Sequence, residues 1–103
     1  MLNLNLNIQP KTAKRLKKVL EFSKNEEAFA QGIIAYQVAE TKRAILNIRI
    51  DLQVYEEKHR LSSDKFYRQY SRGEMGDDED FMLWAGLIEM LASNEKRLQG
   101  LEG

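Results

Sequence analysis

A chain of 103 residues, 43% hydrophobic and 31% charged, is one domain or a small domain with an appendage, and is too apolar for wholesale disorder. The absence of cysteine excludes disulfide scaffolds, thiolate metal sites and cysteine nucleophiles. Its zero net charge is a cancellation, because residues 1–25 hold six bases and one acid and the rest ten bases and fifteen acids, so the two ends are expected to meet different partners.

In chain order, Leu2, Leu4, Leu6 and Ile8 alternate with Asn3, Asn5 and Asn7. Period two over seven residues predicts a strand with one apolar and one amide face. Three amides are unusual in a strand, and an amide can pair bidentately with the edge of an adenine in the major groove. Gln9-Pro10 ends this segment, and Pro suits the first turn of a helix running to about Phe22. Ala13, Leu16, Val19 or Leu20, and Phe22 form its apolar face; Lys11, Lys14, Arg15, Lys17 and Lys18 line the rest.

Ser23-Lys24-Asn25 breaks the chain, and Asn25 is placed to cap a second helix with Glu26 and Glu27 in its first turn. That helix is expected to be long, reaching about His59. Ile34, Val38, Thr41, Ile45, Ile48, Leu52 and Tyr55 recur at alternating spacings of 4 and 3, a seam suited to packing on another helix. The pattern leaves open whether that helix belongs to the same chain. Phe29, Ile33 and Tyr36 form a second patch, and Leu46, Ile50 and Val54 add apolar surface off the seam. Ser62 or Ser63 then caps a short helix from Asp64 to about Arg72 bearing Phe66, Tyr67 and Tyr70. After Gly73-Glu74-Met75-Gly76, the acids Asp77-Asp78-Glu79-Asp80 open a last helix, Phe81 to about Leu98, with Trp84 and Leu87.

One strand with no second in the chain needs a partner strand from another molecule. Strand, short helix, tight turn and longer helix resemble the ribbon-helix-helix repressors of the Arc, MetJ and CopG type over residues 2–45. The resemblance implies a mostly α fold in which the N-terminal strands of two subunits pair into a DNA-reading ribbon. Asn3, Asn5 and Asn7 stand where that family reads bases, and Asn25 where the second helix holds a backbone phosphate. Lys11, Lys14, Arg15 and Lys18 would add phosphate contacts. The chain departs from the family in lacking a basic strand reader and a glycine in the turn.

Tyr55-Glu56-Glu57-Lys58, Ser62-Ser63-Asp64-Lys65-Phe66-Tyr67, Gly73 to Phe81, and Trp84 are similar to a pattern of small proteins in prokaryotic toxin–antitoxin operons. Together the resemblances imply a homodimeric antitoxin and autorepressor, with a higher oligomer open. Residues 1–45 would dimerise and bind double-stranded operator DNA. Residues 46–103 would form a helical extension that neutralises a toxin through Tyr55, Phe66, Tyr67, Tyr70, Phe81, Trp84 and Leu87. The competing reading is a dimeric helical adaptor that binds a protein partner without DNA, with the aromatics as core and the Asn face as a solvated strand edge.

No metal is expected, because the acidic run lacks the ligand spacing of a calcium loop. No enzyme or cofactor is expected either, since the single histidine, His59, has no nucleophile pattern or phosphate-cradling loop around it. Without an apolar run of membrane-spanning length or a signal-peptide layout, a cytoplasmic protein with no membrane partner is expected.

Overall fold

The computed structural model describes residues 1–103 and contains four helices, α1 (Pro10–Phe22), α2 (Glu26–His59), α3 (Ser63–Ser71) and α4 (Glu79–Glu102). Residues 1–9 adopt no regular secondary structure, and no strand forms anywhere in the chain. The expected ribbon-helix-helix fold and its intermolecular β-ribbon are therefore overturned; only the mostly α character remains. The physical reason is that alternation sets which face is apolar, whereas a strand exists only through ladder hydrogen bonds to a neighbour. Every other periodic segment of this chain is helical, and Asn resists the β conformation.

The helices begin and end through local chemistry legible in the sequence. Pro10 opens α1, with Ala13 N–H bonded to Gln9 O at 3.0 Å. The Asn25 side-chain oxygen accepts the Ala28 N–H at 2.8 Å and caps α2. At the far end of α2, Arg60 takes the left-handed conformation (φ 50°) and Leu61 N–H reaches back to Glu56 O at 3.2 Å. That is the closing bond of a Schellman turn, made here without glycine. Ser62 caps α3 by accepting from Lys65 N–H at 3.2 Å. Gly73 (φ 72°) closes α3 with both bonds of the same motif, Gly73 N–H to Tyr70 O at 3.0 Å and Glu74 N–H to Gln69 O at 2.9 Å. Asp78 caps α4 through Asp80 N–H at 2.9 Å.

By their internal contacts the residues fall into two units, Met1–Tyr36 and Gln37–Gly103. In the first, α1 and the opening turns of α2 bury no side chain; only Ala13, Leu16, Ser23 and Phe29 are half-buried.

The second unit holds the core. Ion pairs Lys42–Glu102 (3.5 Å), Arg49–Glu95 (3.4 Å) and Lys58–Asp80 (2.6 Å) show that α2 and α4 run antiparallel, since the partner's number falls as α2's rises. The α2 seam faces inward from Val38 to Tyr55, and His59 extends it by one more step. Ile34, its expected first member, lies in the other unit and is 41% exposed. Thr41 is buried with its hydroxyl donated to Gln37 O at 2.8 Å, so the polar member of the seam is satisfied within its own helix. Ile48, Leu52, Phe66, Trp84 and Ala85 are the buried apolar residues. α3 packs on α4, and together with α2 they enclose Phe66 and Trp84 completely. None of the four helices is long and apolar enough to cross a membrane.

Candidate partner-binding groove

The turn from α2 to α3 and the start of α4 bring together a cluster that the sequence did not announce. Asp80, in the first turn of α4, accepts from Lys58 Nζ at 2.6 Å and from His59 Nε2 at 3.1 Å, both through one oxygen, Oδ2. Because a carboxylate can only accept here, His59 carries its hydrogen on Nε2. The imidazole also stacks on Trp84 (centroids 5.5 Å) and leans against Phe81 (5.3 Å). Hydrogen bonds from Lys58 and then His59 hold the Asp80 carboxyl below the usual carboxylate range, and Asp80 in turn raises Lys58. The clue in the sequence was positional. Cations that close one helix and acids that open a later one are natural ion-pair partners once the chain turns back on itself.

A second set of bonds fixes α3. Trp84 Nε1–H donates to Ser63 Oγ at 2.9 Å, and Ser63 N–H donates to Glu56 Oε2 at 3.0 Å. Tyr67 donates its hydroxyl to Glu89 Oε1 at 3.0 Å, which pushes the Tyr67 hydroxyl pKa up. α3 therefore covers one side of the α2–α4 pair.

The other side stays open. A groove of about 380 Å³ there is lined by Asp51, Val54, Tyr55, Lys58, Asp80 and Leu87. Leu83, Leu87 and Met90, spaced 4 and 3 apart, share one face of α4. Leu83 (53%) and Met90 (52%) are exposed, as is Val54 (60%). Leu46 and Ile50 continue the apolar surface on α2. The groove's lining is thus half apolar (Val54, Tyr55 and Leu87) and half charged, with two carboxylates and one ammonium.

The residues expected to bind a partner are divided by this arrangement. Phe66 and Trp84 are wholly inside and serve as core; Tyr55, Tyr67, Tyr70, Phe81 and Leu87 are half-buried, and only Tyr55 and Leu87 line the groove. Of those expected to bind DNA, Asn3, Asn5 and Asn7 are exposed on the segment without regular structure. Lys11, Lys14, Arg15 and Lys18 are exposed on α1, where Lys18 lies 4.0 Å from Glu21. Asn25 already spends its side-chain oxygen on the helix it caps. The acidic run is likewise employed locally, Asp78 as cap and Asp80 as ion-pair partner. No three His, Asp or Glu side chains converge as metal ligands would.

Comparison with protein-family models, with curated proteins and with solved structures finds no match to this chain.

Proposed function

We propose that this chain is a helical adaptor that holds an amphipathic helix of a partner protein in the open groove between α2 and α4. The supporting observation is that groove itself, which sets Val54, Tyr55 and Leu87 beside three charged groups on the side of the pair that α3 leaves uncovered, with exposed Leu46, Ile50, Leu83 and Met90 extending its apolar surface. Helix-in-groove recognition needs this combination, an apolar stripe seated against apolar walls with charges at the rim to set register. Residues 37–103 carry ten bases and thirteen acids, so a partner helix with basic residues beside its apolar stripe is the complementary one. The operator-reading part of the expected antitoxin function rested on a ribbon that the chain does not form, and so it is not carried into this proposal.

The test is co-purification and calorimetric titration with the protein encoded by the adjoining gene. A stoichiometric complex is expected, with Val54→Asp and Leu87→Asp each weakening it at least tenfold, as burial of a charge in an apolar contact requires. Unchanged affinity in both variants, or no complex with the wild-type chain, would refute the adaptor.

A further inference from the structure

The three charged side chains that line the groove between α2 and α4 are not equivalent. Lys58 and Asp80 satisfy each other at 2.6 Å, and His59 adds a second donor to the same Asp80 oxygen at 3.1 Å. Asp51 has no such partner. It is exposed, and the seven ion pairs of the chain leave it out. Its helical neighbours three and four residues away on either side are Asn47, Ile48, Val54 and Tyr55, so no base on α2 is placed to reach it. The stretch of α4 from Leu87, which shares the lining, to Glu95, which pairs with Arg49, contains no base either.

Asp51 reverses the charge pattern of the helix pair. Elsewhere α2 offers cations to acids of α4, as Lys42 to Glu102, Arg49 to Glu95 and Lys58 to Asp80. At Asp51 it instead puts a carboxylate into the groove, and α4 supplies nothing to meet it.

We infer that Asp51 fixes the register and direction of the bound helix by pairing with a lysine or arginine that the partner supplies. The inference rests on the adaptor reading and adds to it which of the partner's charges matters and where it lies. Asp51 and Lys58 are two helical turns apart, about 10 Å along α2, with Val54 and Tyr55 between them. The groove therefore runs from an open carboxylate, past apolar side chains, to a closed ion pair. A helix lying along it meets Asp51 with its cation and rests apolar side chains on Val54, Tyr55 and Leu87 one turn further on. Two turns from the cation it passes over Lys58 and Asp80, which already neutralise each other. Laid in reverse, the same helix would set its cation against that closed pair and leave Asp51 unmet, so the two directions differ in energy. A metal ion is the less apt counter-charge, because Asp80 is committed to Lys58 and His59 and no three ligand side chains converge.

The test is calorimetric titration of full-chain variants against the protein of the adjoining gene, with charge swaps on both sides. Asp51→Lys should weaken the complex about tenfold or more, and Asp51→Asn should weaken it less. Circular dichroism should show both free variants folded as the wild type is, since Asp51 makes no ion pair within the chain. Raising salt from about 0.05 to 0.5 M should weaken the wild-type complex more than that of Asp51→Asn. Each lysine and arginine of the partner's bound helix is then changed in turn to glutamate. One of these changes should restore binding to Asp51→Lys while weakening binding to the wild type, a rescue that a residue shaping only the groove would not show. Wild-type affinity in Asp51→Lys overturns the inference, as does failure of every partner substitution to rescue it. In either case the adaptor reading stands if Val54→Asp and Leu87→Asp still weaken the complex. Absence of any complex with the wild-type chain refutes both.

Discussion

The Trp84 indole lies flat on the Phe66 ring, with centroids 3.9 Å apart and planes 2° from parallel, and neither side chain exposes any surface. This stack joins α3 to α4, and Tyr55 (5.9 Å) and His59 (5.5 Å) bring α2 onto the same indole. A nine-residue helix such as α3 would not persist alone in water. Its stability comes from this contact.

Truncating Phe66 or Trp84 to alanine should therefore cost about 3–5 kcal/mol each, the range for large aromatics removed from a packed core. Urea denaturation followed by circular dichroism measures it. Trp84→Phe should cost less in volume but should leave the Ser63 hydroxyl without its Nε1–H donor. A loss below 1 kcal/mol for Phe66→Ala would mean that α3 is not held by this stack.

The Lys58–His59–Asp80 cluster predicts a defined pH response. Asp80 is held below its ordinary range in the folded state, so the unfolded chain binds its proton more readily. Its contribution is complete above about pH 4 and disappears as pH falls through the lowered folded value. Lys58 is raised, so its contribution is complete below its ordinary value and is lost only as pH rises through the folded one. Wild type should be more stable than Asp80→Asn at pH 7, and the gap should narrow progressively as pH falls below about 4. Thermal melts of the two proteins across that range decide it; a gap independent of pH would count against the cluster.

Two left-handed residues close helices, and they predict opposite effects. Arg60 adopts φ 50° with a side chain present, whereas Gly73 adopts φ 72° without one. Arg60→Gly should stabilise the protein by up to about 1 kcal/mol, because relief of the left-handed penalty is partly offset by greater freedom in the unfolded chain. Gly73→Ala should destabilise by about 1–2 kcal/mol, and conformation alone is the cause, since a Cβ there would meet no atom within 4 Å. Chemical denaturation of both variants measures the pair.

Asn25 tests the start of α2. Asn25→Ala removes the oxygen that accepts Ala28 N–H and should cost about 1 kcal/mol, whereas Asn25→Asp should retain the cap. Hydrogen exchange at Ala28 and Phe29 is the most direct readout. Equal protection in the alanine variant would show that the cap is dispensable.

Local features of this protein were legible from residue order. Pro10, Asn25, Ser62 and Gly73 each act through their own backbone neighbourhood, and the helix boundaries follow from them. The heptad spacing from Val38 to Tyr55 likewise marked the face of α2 that is buried. α4 runs further than its apolar pattern suggested, to Glu102, because Leu98 and Leu101 still pack while polar residues intervene.

What residue order could not determine was the partner of each apolar face. The spacing of Val38, Thr41, Ile45 and Ile48 is the same whether a helix of the same chain or of another covers it; the fold assigns it to α4. Alternation from Leu2 to Ile8 pointed to a strand, yet pairing is a property of two segments, and the chain supplies only one. The Lys58–His59–Asp80 cluster and the open groove beside it arise where α4 turns back along α2, more than twenty residues on. Periodicity and capping are local and can be read from the sequence. Which surfaces meet depends on how the chain returns on itself, and only the tertiary structure decides that.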